Sequence, residues 1–330
     1  MIQGHGDDRY RFDREIRADF SSNVYSHVDL EPLKAHLRHR IDVIGRYPEP
    51  EPYTLEKALA ARLAIDPAAI CVTSGATEAI YHIAHAFQDA HSTILGPTFS
   101  EYADACRLYN SEPSAKRALI WLCNPNNPTG GVIPKDDLVK AIEANPETVF
   151  VIDQSYGFFT KEPLLSAAEA VRYPNVLQLH SMTKRYAMPG LRLGYAVGHP
   201  ALIEQVRAVR MPWSVNALAI EAGLYLSAHP DTAPIDLEAL LAETRRLREA
   251  LNAIPGLTAE ATKTHFFLCR LESGRAADLK QRLAEEYGLL IRDAANFEGL
   301  GEGHFRIATQ TSAENDLLVE AIRNILQNNG

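Results

Sequence analysis

The sequence predicts an α/β protein: a large domain on a mostly parallel sheet with helices on both faces, plus a smaller α+β domain drawn from both chain ends. Three observations carry this. Short apolar runs rich in Val, Ile and Leu recur without strict polar alternation, the pattern of strands covered on both faces. Helix-period stretches separate those runs and give the β-α rhythm of a parallel sheet. After about residue 200 the rhythm changes to longer helices followed by further strands, which marks a second unit.

In chain order, the opening segment carries a short strand at Ala18–Ser21. The strands of the large sheet are Ile70–Thr73, Thr93–Leu95, Leu119–Cys123, Val149–Asp153, Val176–His180 and Gly194–Val197. Ala76–Phe87, Ser100–Tyr109 and Lys135–Ala144 lie between them with the apolar spacing of helices. Leu202–Val209, Val215–Ser227 and Leu237–Ala253 also read as helices, and Pro255-Gly256 as a turn. Strands at His265–Leu271, Leu289–Arg292 and His304–Ala308, with helices at Ala276–Tyr287 and Ala313–Leu326, complete the smaller unit. The boundaries so drawn are 30–228 for the large domain, and 1–29 with 229–330 for the small one.

The 330 residues suffice for one large domain with a core, or for two unequal ones. A hydrophobic content of 46 % and a charged content of 23 % are ordinary for a water-soluble protein. A net charge of −9 argues against nucleic acid or an anionic membrane as the main partner. Cys71, Cys106, Cys123 and Cys269 form no CxxC pair, so neither a metal site nor a disulfide framework is expected. The N-terminus lacks an apolar signal-peptide segment, and no stretch approaches the roughly 18 apolar residues that span a bilayer. A cytoplasmic location is the expectation.

Four strings carry chemistry. Gly75 in Thr73-Ser74-Gly75-Ala76-Thr77-Glu78 permits a tight turn after a strand. The free N–H groups of the helix that follows, with the Thr77 hydroxyl, suit a phosphate. Cys123-Asn124-Pro125-Asn126-Asn127-Pro128-Thr129-Gly130 is a rigid non-helical loop in which an Asn side chain can meet a ring substituent. Asp153 ends an apolar strand, so it is expected to be buried and to need a cationic partner; a protonated pyridine nitrogen would serve. Tyr156 lies three residues on. The fourth string runs from Ser181 through Thr183 and Lys184 to Arg192. A lysine desolvated at a strand end becomes a nucleophile, and an arginine eight residues on can fork onto a phosphate.

Each string alone also fits a bland reading: a capped turn, a loop, a structural ion pair or a solvated charge. Together they fall at or just beyond the carboxyl ends of parallel strands, where open α/β sheets bind ligands.

These strings resemble those of the class I/II aminotransferases, fold type I enzymes dependent on pyridoxal 5′-phosphate (PLP), and the resemblance covers nearly the whole chain. It implies that Lys184 carries PLP on its amine. It also implies that Asp153 pairs the pyridine nitrogen, Tyr156 and Asn127 bond the ring oxygen, and Phe99 stacks on the ring. Gly75, Ala76, Thr77, Ser181, Thr183 and Arg192 would hold the phosphate. Arg306 would grip the substrate carboxylate. Tyr47, in Arg46-Tyr47-Pro48, would reach the phosphate of a neighbouring subunit, which implies a homodimer. Glu78 and Tyr102 fall near the cofactor by the same likeness, without an assigned role.

Two subfamilies fit. Histidinol-phosphate aminotransferases share Arg46-Tyr47-Pro48, Asn126–Gly130 and the spacing from Lys184 to Arg192. Threonine-phosphate decarboxylases of cobalamin synthesis are closer in texture, through His5-Gly6, Asp19-Phe20-Ser21-Ser22-Asn23, Ser181 to Tyr195, and Arg292 to Arg306. In both subfamilies the substrate carries a phosphate, which implies a small phosphorylated amino acid here, with Arg292 at the phosphate end and Asn23 as a further contact; His5 is a further phosphate-side candidate in the decarboxylase. L-threonine O-3-phosphate decarboxylation is the favoured expectation, amino transfer the alternative, and a non-catalytic PLP-fold protein the third. The chain departs from the family in having Gln154 after Asp153 and Asp7 after Gly6. The segment between Phe99 and Asn126 is also shorter than the family's, so a strand or a helical turn is expected to be missing there.

Overall fold

The computed structural model describes residues 6–109 and 117–327. The elements run β1 (Ala18–Asp19), α1 (Glu31–His39), α2 (Tyr53–Leu63), β2 (Ile70–Thr73), α3 (Gly75–Ala86), β3 (Ala90–Ile94), α4 (Glu101–Tyr109) and β4 (Arg117–Cys123). They continue with α5 (Lys135–Ala144), β5 (Thr148–Asp153), α6 (Ala167–Ala170), β6 (Val176–Ser181), α7 (Met182–Arg185), β7 (Gly194–Gly198), α8 (Pro200–Ala208) and α9 (Ala217–Ala228). The chain closes with α10 (Leu237–Asn252), β8 (Leu257–Ala259), β9 (Phe266–Leu271), α11 (Ala276–Arg282), β10 (Leu289–Leu290), β11 (Arg292–Asp293), β12 (His304–Ala308) and α12 (Ser312–Gln327).

Six strands form the main sheet in the order β2-β7-β6-β5-β4-β3. β3 to β6 pair in parallel, and β7 runs antiparallel to both of its neighbours, β2 and β6. The strand composition follows from double coverage. Successive side chains of β5 point to opposite faces. Val149 and Val151 join the core under α3 and α4, while Phe150 and Ile152 join the one under α5 and α6. Both sets are buried, so the run reads as continuously apolar.

The antiparallel four-stranded sheet β11-β12-β9-β8 has its own core with α10, α11 and α12. β1 joins β10 in a separate parallel pair that sets Ala18 opposite Leu289 and ties the chain's start to this unit.

The structure differs from the sequence reading in places. The expected strand Leu289–Arg292 is split at Ile291, and the two halves pair with different partners. The strand expected at Thr93–Leu95 starts earlier, at Ala90. α1 and α2 were not anticipated. α1 is polar, with Leu33 its sole buried residue, and α2 follows the proline-rich stretch Pro48–Pro52, although Leu55 and Leu59 are buried at helical spacing. Between Phe99 and Asn126 the described residues provide α4 and β4, and the sheet ends at β3.

Candidate active site

β2, β4, β5 and β6 point their carboxyl ends to one edge, so Thr73, Cys123, Asp153 and Ser181 end side by side. Cys123 is in register with Asp153, and Asp153 with Leu179. β7 runs the other way, which brings its entry, and hence Arg192, to the same edge. Gly194 pairs with both Thr73 and Ser181. A Cβ on Gly194 would stand 2.5 Å from the Ala76 nitrogen, so glycine there admits the N-terminus of α3.

That N-terminus is one half of an anion cradle. Gly75 takes φ +81°, and a Cβ on it would lie 2.6 Å from Arg192 Nη2, so the guanidinium rests against the first turn of α3. Ser181 Oγ and Thr183 Oγ1 sit 2.6 Å apart beside it. Free backbone N–H groups, two hydroxyls and a forked cation converge, which is the donor set of a phosphate site.

Asp153 is buried and accepts from the Tyr102 hydroxyl at 2.7 Å and from the Ser155 N–H at 2.8 Å. Burial raises its pKa above the ordinary carboxylate value despite those bonds. No cation pairs with it among the described residues. Tyr102, which the sequence left without a role, is the residue that orients it. Tyr102 is itself buried and stacks on Trp121 at 5.7 Å. Phe99 packs edge-on against Tyr102 at 5.8 Å. Burial pushes the Tyr156 phenol up to about 12. Asn23 lies fully buried beside Tyr156, at a left-handed φ of 53°.

Lys184 projects from α7 and donates to the Ser22 carbonyl at 2.8 Å. Its pKa falls to about 8, first through burial and then through the neighbouring Arg306 and Arg192 charges. Arg306 donates to Asn127 Oδ1 and to the Ser21 carbonyl, while its Nε is buried without a partner. Burial lowers its pKa to about 10. Arg292 donates to Asn296 Oδ1 at 2.8 Å, lies over the Phe297 ring, and is lowered to about 9 by burial and by Arg306. The two arginines are register partners across β11 and β12.

A cavity of about 250 Å³ is lined by Ala76, Thr77, Phe99, Asn127, Asp153, Tyr156, Ser181, Thr183, Lys184, Arg192, Arg292 and Arg306, together with Gly6 and Asp7. Gly75 and Asn23 are not among the lining residues, but Gly75 adjoins Arg192 and Asn23 adjoins Tyr156, which are. Tyr47 is elsewhere: it is 89 % exposed and tilted against Trp213 at 5.7 Å. His5 lies outside the described residues. The carbonyls of Ser21 and Ser22, and Asp7, were missed as cavity contacts. No local pattern marks a backbone carbonyl that meets a lysine 162 positions away.

The chain matches the family model for aminotransferase class I and II over residues 16–115 and 109–322. It is 31 % identical to the threonine-phosphate decarboxylase of Salmonella typhimurium, covering 93 % of this chain and 91 % of that one. It is equally 31 % identical to a histidinol-phosphate aminotransferase of Caldanaerobacter subterraneus, over 86 % and 85 %. The crystal structure of L-threonine-O-3-phosphate decarboxylase from Porphyromonas gingivalis superposes with a TM-score of 0.89 at 39 % identity, covering 93 % of this chain and 99 % of that one. The chain belongs to the aminotransferase class I and II family, and it is a PLP-dependent enzyme.

The residues present fit that cofactor. Asp153 is a buried acid lacking a cation among the described residues, the α3 cradle is an oxyanion site shaped by a missing Cβ, and Lys184 is a half-buried amine of depressed pKa.

Proposed function

We propose that the chain is an L-threonine O-3-phosphate decarboxylase acting as a cytoplasmic homodimer. The observation that carries the substrate class is the Arg292–Arg306 pair. Like charges opposed across two strands destabilise a sheet. Both residues are nonetheless only 4 % exposed, and neither guanidinium has a carboxylate partner among the described residues. Such a pair suits a ligand with two anionic ends, the carboxylate on Arg306 and the phosphate on Arg292. The 39 % identity to a solved threonine-phosphate decarboxylase favours the reaction.

Lys184 would hold PLP, with Asp153 opposite its pyridine nitrogen, Asn127 and Tyr156 at its ring oxygen, and Phe99 on its face. Ala76, Thr77, Ser181, Thr183 and Arg192 would hold its phosphate. Bound PLP supplies an electron sink for the bonds at Cα. Asp153 would keep a proton on the ring nitrogen. Arg306 would set the direction of the carboxylate. The Cα–carboxylate bond breaks, CO2 leaves, and Lys184 would deliver a proton to Cα. The product is the phosphate ester of 1-aminopropan-2-ol. Tyr47 would reach the phosphate in the neighbouring subunit, and its exposure beside Trp213 supports that reading.

The equal likeness to a histidinol-phosphate aminotransferase favours a second reading, in which Lys184 removes the Cα hydrogen and amino transfer follows. A product assay separates the two. CO2 release from O-phospho-L-threonine without 2-oxoglutarate supports the first. Glutamate formed from histidinol phosphate and 2-oxoglutarate, without CO2, replaces it with the second.

A further inference from the structure

A second cavity, of about 340 Å³, lies behind the cofactor edge, between α2, α7 and the segment after β5. Ser155 and Ser181 line both cavities, so the two share a wall. The second is cationic: Arg62 and Arg185 line it, and no Asp or Glu does, in a chain of net charge −9.

Neither arginine forms an ion pair among the described residues. Arg62 uses Nη1 alone, donating to the Tyr186 hydroxyl at 3.2 Å and to the Leu226 carbonyl at 2.9 Å. The Arg185 side chain makes no hydrogen bond with any described residue. Its guanidinium is held between two rings, 4.6 Å from the Phe158 centroid and 5.0 Å from that of Tyr186. Ring contacts fix a guanidinium in place while leaving its in-plane N–H donors free. A cation so positioned, with donors unspent beside a partly apolar cavity, is a preorganised oxyanion receptor.

We infer that this cavity is a second binding site, for a small organic anion whose carboxylate or phosphate oxygens meet Arg185 and Arg62 and whose carbon body lies against Phe158 and Leu164. α7 carries Lys184 into one cavity and Arg185 into the other, so a ligand that shifts this helix shifts the reactive amine. The inference is independent of the proposed reaction, because none of these side chains is assigned to the substrate or the cofactor.

Calorimetric titration of the holoenzyme with phenyl phosphate and with benzoate tests it. Anions also meet the active-site arginines, so the same titration is run on the double variant Arg292→Gln, Arg306→Gln. The expected result is one binding event per chain that survives in the double variant. Arg185→Gln added to that background should weaken it roughly tenfold or more, the loss of a charge-assisted hydrogen bond. Leu164→Trp, which keeps both charges and fills the space, should abolish it. Tighter binding of phenyl phosphate assigns a phosphate ester, and tighter binding of benzoate assigns a carboxylate; either supports the site. Absence of binding in the double variant, or binding unchanged by both Arg185→Gln and Leu164→Trp, overturns it. So does a cavity sealed by a second copy of the chain.

Discussion

Gly75→Ala isolates the cofactor cradle from backbone strain. Gly75 has φ +81°, where an L side chain costs about 1–2 kcal/mol. The added Cβ would also stand 2.6 Å from Arg192 Nη2, well inside contact distance. The guanidinium is the flexible end of a long side chain, so it withdraws rather than unfolding the domain. Withdrawal would cost the charge-assisted bonds proposed between Arg192 and the PLP phosphate, about 1.5–3 kcal/mol, or roughly 10- to 100-fold in PLP affinity. Gly256→Ala is the matched control: φ is +80° there, and its Cβ would meet nothing within 4 Å. Both variants should lose similar thermal stability as apoproteins. Only Gly75→Ala should lose PLP affinity, read by titrating apoprotein with PLP and following the cofactor absorbance. Wild-type affinity in Gly75→Ala, or an equal loss in Gly256→Ala, refutes the cradle.

Further outcomes follow from the site and the core. Lys184 has a pKa near 8 in the fold, below its unfolded value, so the unfolded chain binds more protons between the two and apoprotein stability should rise with pH across that window. Lys184→Met should flatten that rise in a denaturant series, and a slope unchanged from wild type would count against the depressed pKa. Asp153 has the opposite sign: its raised pKa means that stability present at low pH is lost as pH climbs through it, and Asp153→Asn should remove that loss while cutting turnover by orders of magnitude, measured on the PLP-loaded protein. Arg292→Gln should lower kcat/KM for the phosphorylated substrate roughly 10- to 100-fold and leave PLP affinity unchanged; an effect on PLP instead would misplace Arg292. Glu56, buried at 3 % exposure, accepts from Arg207, Arg210 and the Val72 N–H, so Glu56→Ala should cost about 3–5 kcal/mol by chemical denaturation.

Much of this was legible locally. A strand buried on both faces must be apolar throughout, so Val149 to Ile152 announces itself, and the residue at its end, Asp153, inherits a place at the sheet edge. Lys184 and the Gly75 turn are legible for the same reason, because each string combines a strand end with residues of distinctive chemistry. α2 was hidden although Leu55 and Leu59 carry helical spacing, because the prolines before it read as loop. The role of Tyr102 was hidden because its partner, Asp153, is 51 positions away.

The sequence by itself determined the parts: the strands, the turn that frees the N–H groups of α3, and the residue types that suit PLP. Their information lies within a few neighbours along the chain. Tertiary structure alone decided the rest, since pairing register and direction are long-range properties. The antiparallel course of β7 brings Arg192 to Gly75, the β11–β12 register sets Arg292 opposite Arg306, and the placement of α2, α7 and the segment after β5 around one cavity leaves Arg185 and Arg62 lining it without an acid.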